Sequence, residues 1–398
     1  MTALRRPTWL ALILSIGLLT SWYVIVRRAS GTLVVYCTHD LVYAEPVLEE
    51  FTRRTGIEVT IVGDTEATKS LGLIERLLRE GDQTPCDLVW NNEVLGTIRL
   101  QRNELLAPYT GPAAQRIPEQ FRDREGHWHG FAGRMRVWIT REGFEVSGEG
   151  LVEEEQGASA KGQVPQEEDA GHQPSAISHL VSQEAERLGR EEDAGHQPSA
   201  ISHQPASNPQ PSTFNPQPSP RMVIAKPLYG TTFTQYAMLW HLHGPGQTQL
   251  EHLELVEHGC RFVAGNAMVR DMVAGGSCDI GMTDTDDVFA ARDAGYKVDM
   301  LPIRIDGKTL CIPNTVALLK SSDRPAEARR LLEYLLSEDV ELQLAKTARQ
   351  IPLGTVPAEK IPEEVRPLVE WARESWNVAD AADVAGACLE WLKSEYAR

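Results

Sequence analysis

An acidic run, Asp284, Asp286 and Asp287, holds the side chains of this sequence best suited to chemistry. The segment CDIGMTDTDD (278–287) predicts a short apolar strand that leads into this run. Neighbouring carboxylates repel by about 1 kcal/mol per close pair in water and by about 4 kcal/mol at an effective dielectric constant of 20. Solvent, a bound cation or a helix N-terminus has to offset that repulsion. Because the helical segment VFAARDAG follows, both a helix cap and a ligand-facing site stay open.

Polar side chains also follow the first three predicted strands, in the loops THD (38–40), GDTEAT (63–68) and NNE (91–93). Ligands of open α/β sheets bind at the carboxyl ends of the strands, so we expect these loops at the ligand edge. The candidates in them are His39, Asp40, Asp64, Asn92 and Glu93.

Four of the candidates would form a hard, oxygen-rich site with one imidazole, which suits Fe³⁺, Mn²⁺ or similar ions. They are His39, Glu93, Asp284 and Asp286, and Thr285 and Asp287 are adjacent candidates.

A possible anion site lies at Gly230, Thr231 and Thr232, between a predicted strand and a helical segment. Backbone N–H groups and hydroxyls at a helix N-terminus can hold an anion. The segment lacks the lysine of a P-loop, which argues against a nucleotide. Asn266 stands at a second strand-to-helix junction, and a purely capping role stays open at both places.

The segment GFAGRMRVWIT (130–140) contributes two arginines that alternate with apolar residues, Arg134 and Arg136. We expect one of them to reach a cleft and pair with an anion or with the acidic run, with a surface salt bridge as the alternative. His127 and His129 are expected on the surface.

Composition narrows the function classes. The chain has 398 residues and a formal net charge of −17, without a basic stripe, which argues against nucleic acid as a partner. Its six cysteines are scattered singly, without zinc or redox spacing, and are expected to be small buried residues.

The N-terminus predicts a targeting element. Arg5 and Arg6 precede an apolar, charge-free run from Trp9 to Val26, close to the length of a membrane span. We expect an uncleaved signal anchor in the inner membrane, with the rest of the chain exported to the periplasm or another extracytoplasmic space.

In the rest of the chain, predicted strands alternate with predicted helices, and the first strands lie at 32–37, 57–62 and 86–91. This alternation predicts a mainly parallel sheet with helices on both faces. A polar interval at 142–221 interrupts it and contains EEDAGHQPSAISH twice, at 167–179 and 191–203. Two copies of a polar unit bury no core, so we expect a disordered insert.

A collinear series of segments covering 32–140 and 222–356 resembles the periplasmic iron(III)-binding proteins of ABC importers. The resemblance implies an α/β, two-lobed, type II-like binding fold, hinged so that it closes on a ligand and delivers it to permease and ATPase subunits. The matching segments are LVVYCTHDLVYAEPVLEEFTRRTGIEV, CDLVWNNEV, FRDREGHWHGFAGRMRV, AKPLYGTT, GNAMVRDMVAGG, IGMTDTDD, IPNTVALLKSS and RQIPLGTV. We therefore expect a signal anchor or signal peptide (1–31), lobe one (32–136), lobe two (137–141 and 222–302), the insert (142–221) and a return to lobe one with C-terminal helices (303–398).

The resemblance also implies roles for particular residues. In ferric-binding members a histidine after the first strand and a glutamate after the third are ligands, and His39 and Glu93 fit. The anion partners of those proteins lie in loops that match Gly230–Thr232 and Asn266. Their iron site uses adjacent tyrosines in the loop where this chain has Thr285 and Asp286, so we expect a carboxylate site or a different ligand.

We therefore expect a binding protein without catalytic activity or a required cofactor, whose cargo is Fe³⁺ or another metal ion, with or without a synergistic anion. A binding protein for an organic cation or a phosphonate-type anion is the alternative within this class. A metal-dependent hydrolase is disfavoured because no nucleophile–base pair is evident. An anchored sensor or scaffold without a ligand is the third class.

Overall fold

The computed structural model describes residues 31–63, 71–144 and 220–397. Asp64, the predicted anchor up to residue 30 and the insert from 145 to 219 lie outside these ranges. Within the described ranges, no helix is both long and apolar enough to cross a membrane.

Strands and helices alternate through most of the described chain. The strands are β1 (Leu33–Cys37), β2 (Val59–Gly63), β3 (Leu88–Asn91), β4 (Leu106–Ala107), β5 (His129–Arg141), β6 (Met222–Ala225), β7 (Arg261–Val263), β8 (Ile280–Asp284), β9 (Val298–Pro302), β10 (Arg304–Ile305), β11 (Lys308–Thr309) and β12 (Cys311–Leu319). The helices are α1 (Leu41–Thr55), α2 (Leu71–Glu80), α3 (Val94–Arg102), α4 (Pro112–Gln115), α5 (Gly230–Glu257), α6 (Asn266–Ala274), α7 (Thr285–Asp293), α8 (Pro325–Leu335), α9 (Glu338–Thr347), α10 (Arg366–Arg373) and α11 (Ala385–Tyr396). Short 3₁₀ turns lie at Gly81–Gln83, Glu119–Phe121, Ala358–Lys360 and Val378–Asp383.

The first three strands confirm the predicted parallel arrangement, since β1 pairs in parallel with both β2 and β3. Side chains of β1 alternate between the two faces of the sheet: Val35 packs in the core under α1, and Val34 packs in the core under α2. Helix α1 ends at Gly56, whose φ of 72° is the left-handed conformation that glycine adopts without strain. The carboxyl ends of these strands therefore meet at one edge, which positions the loops after β1 and β3.

Strand β5 belongs to two sheets. From His129 to Met135 it pairs antiparallel with β12, and from Arg136 onward it pairs with β8 on one side and β9 on the other. We call the part built on β1–β4, β12 and the start of β5 lobe one, and the part built on β6–β9 and the end of β5 lobe two. The strand order β2-β1-β3-β12-β5-β8-β6-β7 passes through both.

Lobe two carries the long helix α5, which is bent at Gly244 (φ 79°) ahead of Pro245. Helix α11, near the C-terminus, packs against α5, with the Trp391 ring centroid 5.3 Å from that of Trp240. All six cysteines lie in the described residues as buried free thiols, as the sequence predicts.

Candidate functional site

The acidic run begins where β8 ends and α7 starts. Asp284 is the N-cap residue of α7 with an extended backbone (φ −108°, ψ 160°), but its side chain makes no capping hydrogen bond. Asp286 and Asp287 lie in the first turn, where a helix dipole favours negative charge. The helix start therefore positions the run, and the carboxylate of Asp284 is directed elsewhere.

That carboxylate is held by a buried network in lobe two. One oxygen accepts a hydrogen bond from Arg136 Nη1 at 2.7 Å. The other accepts from Thr231 Oγ1 at 2.7 Å and from Asn266 Nδ2 at 3.0 Å. Asp284 is 4% exposed and Arg136 is fully buried. Arg136 is thus the arginine that pairs with the acidic run, and the two candidate anion loops surround the same carboxylate.

Asp286 and Asp287 differ from Asp284 in retaining partial exposure. Asp287 accepts a hydrogen bond from Thr283 Oγ1 at 2.7 Å and lies 3.6 Å from Arg270 Nη1. Among the described residues, Asp286 accepts one hydrogen bond, from the backbone N–H of Asp287. Burial raises the pKa of both carboxyls, and their negative neighbours raise it further.

The loop after β1 approaches the acidic run from lobe one. Burial is the main cause of the raised pKa of Asp286, and the negative charge of Asp40, in the loop after β1, adds to it. His39, also in this loop, is buried, with its ring centroid 5.4 Å from that of Trp90 and its Nε2 3.2 Å from Gln350 Nε2. Within the described residues, the acidic run itself brings carboxylates together: one oxygen each of Asp284, Asp286 and Asp287 lies within 4.8 Å of the others.

Glu93 is occupied within its own helix. Its carboxylate caps α3 by accepting from the backbone N–H groups of Leu95 and Gly96, both at 2.7 Å, and from Asn91 Nδ2 at 3.2 Å. Burial raises the pKa of this carboxyl, although the hydrogen bonds oppose that rise. The geometry identifies Glu93 as a buried N-cap, and its role as a metal ligand stays a prediction.

Arg134 links the two lobes. Its Nη2 donates to the backbone carbonyl of Asn92 in lobe one, and its Nε lies 3.9 Å from Asp284 in lobe two. The guanidinium is largely buried, and its charge lowers the pKa of Asp286 against the effect of burial. Arg134 therefore limits the net negative charge at the boundary.

Sequence reasoning missed Tyr43 at this boundary. Its ring stacks on His39 at 6.1 Å, and its hydroxyl pKa is raised by burial, then by the charges of Asp286 and Asp40. The position was available from the sequence, because Tyr43 follows Asp40 by one helical turn at the start of α1.

The expected surface position of His129 was wrong. His129 starts β5, is 1% exposed, and packs edge-on against Tyr109 at 5.8 Å. A polar-looking segment is buried here because His129 pairs with Val316 of β12 and forms an isolated bridge with Arg122.

Comparison with solved structures places this arrangement among known folds. Iron-bound HitA from Pseudomonas aeruginosa superimposes with a TM-score of 0.67 at 17% identity, over 91% of this chain and 99% of HitA. The apo ferric ion-binding protein A of Pasteurella haemolytica gives 0.66 at 18% identity, over 92% and 97% of the two chains. The chain shares the fold of these two proteins. This confirms the two-lobed α/β architecture predicted from the sequence.

Sequence comparison gives a shorter match. The Fe(3+)-binding periplasmic protein of Serratia marcescens is 26% identical over 113 residues, which are 28% of this chain and 32% of that protein. The chain thus matches about a third of the length of this curated relative. It matches no protein-family model.

Proposed function

We propose that this chain is an extracytoplasmic solute-binding protein of an ABC importer, with Fe³⁺ as its cargo and permease and ATPase subunits as its partners. The ferric-binding fold supports the binding role, and the similar Serratia protein is named as periplasmic and Fe(3+)-binding. The proposal involves no catalytic step. It includes a periplasmic location and attachment to the inner membrane through the N-terminal apolar run.

One observation carries the choice of a cation. Asp284, Asp286 and Asp287 each bring one carboxylate oxygen within 4.8 Å of the others, and Asp286 and Asp287 keep partial exposure. A cation bound at this cluster would relieve the repulsion among its carboxylates. Carboxylate oxygens are hard ligands of the kind that Fe³⁺ and Mn²⁺ accept.

The residues that fit cargo binding are the side chains of this region that keep partial exposure. Among the described residues Asp286 accepts one hydrogen bond, and it shares partial exposure with Asp287 and Tyr43. Asp284 is neutralised by Arg136, so its part is to hold the site rather than to contact the ion. Closure of the lobes on the cargo would bring Asp40 and Asp286 onto one ion.

The test is thermal unfolding of the full-length protein with Fe³⁺ supplied as a weak chelate, and separately with Mn²⁺, a polyamine and a phosphonate. We expect Fe³⁺ to raise the melting temperature and Asp286→Asn to remove most of that rise. Asp299→Asn is the matched control, because Asp299 is an exposed lobe-two carboxylate that lies 3.8 Å from Arg292.

If only the polyamine or only the phosphonate raises the melting temperature, that organic compound and not Fe³⁺ represents the cargo. If no compound shifts the melting temperature, the binding function is contradicted. If Asp286→Asn and Asp299→Asn respond to Fe³⁺ alike, the cargo site lies elsewhere.

A further inference from the structure

Two helix N-termini converge on one buried point in lobe two. Helix α5 begins at Gly230 and places Thr231 and Thr232 in its first turn, and α6 begins at Asn266. Asn266 Nδ2 donates to Thr231 Oγ1 at 2.9 Å, so the two helix starts are in direct contact. The positive ends of both helix dipoles therefore meet at the same place.

A fully buried guanidinium adds a formal positive charge there. Arg136 donates through Nε to Gln235 Oε1 at 2.9 Å and lies 3.4 Å from the hydroxyl oxygens of both Thr231 and Thr232. Hydroxyl and amide donors around a buried arginine, at two helix N-termini, are the features of a site for a small oxyanion. An unoccupied site of this kind would leave the Arg136 charge uncompensated, at a cost of several kcal/mol.

The chain's own carboxylate occupies this position. Asp284 receives hydrogen bonds from Arg136, Thr231 and Asn266, and Arg134 Nε lies 3.9 Å from the same group. The donors come from β5, α5 and α6, elements that are far apart in the sequence. These donors converge on the buried side chain of Asp284 at the end of β8. Together they indicate a complete anion site in which the anion is a side chain of the protein itself.

We propose that Asp284 is a built-in anion that fills an oxyanion site made by Arg136, Thr231 and Asn266, so that this protein binds its cargo without a free anion. The claim that cargo binds without a free anion rests on the proposed cargo-binding function. The claim that Asp284 fills the oxyanion site does not. Asp284 thereby determines specificity: it excludes carbonate-, phosphate- or carboxylate-type co-ligands from this position. It is a positioning residue, because its carboxylate contacts protein donors rather than cargo.

The first experiment needs no metal. In the full-length protein, Asp284→Ala removes the carboxylate and should leave a cavity lined by the same donors. Sodium formate, compared with sodium chloride at equal ionic strength, should then raise the melting temperature saturably by a few degrees. The wild type should show no saturable rise, and Asp284→Asn, which keeps the position filled, should show none either.

Asp279→Ala is the matched control. Asp279 also pairs with arginines, 2.7 Å from Arg141 and 2.8 Å from Arg221, but at a more exposed position away from the α5 and α6 N-termini. A saturable formate response of the wild type, or a response of Asp284→Ala no larger than that of Asp279→Ala, would overturn the built-in anion.

The second experiment uses the wild type alone and holds even if Asp284→Ala does not fold. Fe³⁺ affinity is measured by competition with a chelator, with and without added hydrogencarbonate. We expect hydrogencarbonate to change the Fe³⁺ affinity by less than about twofold. A gain in affinity of about tenfold or more would contradict anion-free binding. Absence of any Fe³⁺ binding would contradict the proposed function instead, while the formate result would still decide the role of Asp284.

Discussion

The Asp284 carboxylate lies 2.7 Å from the Arg136 guanidinium, and the two side chains are 6% and 0% exposed. Arg136 stands in β5 at the point where that strand passes from lobe one to lobe two. The pair therefore joins the central strand to the start of α7, which carries Asp286. Rigid support of this kind fixes the acidic run relative to the lobe boundary.

Breaking this pair should destabilise the protein strongly. Arg136→Met leaves the Asp284 charge buried without its partner, which typically costs about 3–5 kcal/mol. Arg141→Met is the control, since its pair with Asp279 is 43% exposed on the arginine side and is expected to cost below about 1 kcal/mol. Urea unfolding measures both free energies. Equal losses would mean that the buried pair contributes no more than an exposed one.

His129 should make stability fall in mild acid. Burial lowers its pKa to about 4 from an ordinary value of 6.5. As the pH falls below 6.5, the unfolded chain takes up the proton before the folded chain does, so the free energy of unfolding decreases between pH 6.5 and 4. The loss is bounded by about 3.5 kcal/mol, since each pKa unit between 6.5 and about 4 is worth about 1.4 kcal/mol.

The measurement is the free energy of unfolding of wild type and His129→Phe across this pH range. In His129→Phe, the free energy of unfolding should fall less over this pH range, and the difference from wild type should be most of that loss. His258→Gln, at an exposed position after α5, should follow the wild type. A wild-type slope retained in His129→Phe would assign the acid sensitivity to other groups.

The sequence was sufficient for local structure but not for long-range pairing. The alternation of strands and helices in lobe one was predictable because each amphipathic helix buries its own repeating face, as α1 does with Val47, Leu48 and Phe51. The partner of Asp284 was open between two arginines, since strand register decides which one faces the carboxylate. The register of the β5–β8 ladder, in which Arg136 pairs with Asp284, shows that Arg136 is the partner.

The role of Glu93 shows a different limit. Its position after β3 suggested a ligand, but an N-cap is equally consistent with a carboxylate just before a helix, and the backbone of α3 takes up both oxygens. Its burial was not evident from the sequence, because NNE reads as a polar loop. The loop is enclosed by β12, where Thr315 Oγ1 donates to the Glu93 carbonyl.

Glu93→Ala therefore separates stability from binding. Loss of the cap should lower the free energy of unfolding by about 1–2 kcal/mol. Fe³⁺ affinity, measured well below the melting temperature, should stay within about twofold of wild type, since the cargo site is proposed around Asp286. Asp286→Asn should give the opposite result, weak binding with stability retained. A large affinity loss in Glu93→Ala would restore its role as a ligand.

We expect Tyr43 to supply a phenol to the proposed cargo site, whose acidic run contains no tyrosine. Tyr43 is partly exposed and the charges of Asp286 and Asp40 act on its hydroxyl, so Fe³⁺ bound at the proposed site should displace the phenolic proton. Iron(III)–phenolate bonds absorb visible light, so titration of the full-length protein with Fe³⁺ should produce a coloured complex. Tyr43→Phe should lose that absorption and weaken binding by about tenfold or more, about 1.4 kcal/mol.

Tyr296→Phe is the control for this change, because Tyr296 is 50% exposed in the loop after α7. It should keep both the colour and the affinity. A colourless wild-type complex with full affinity would mean that carboxylates alone hold the ion, and equal effects of the two substitutions would remove Tyr43 from the site. The two lobes would then meet the cargo through Asp40 and Asp286, and lobe closure would depend on charge neutralisation alone.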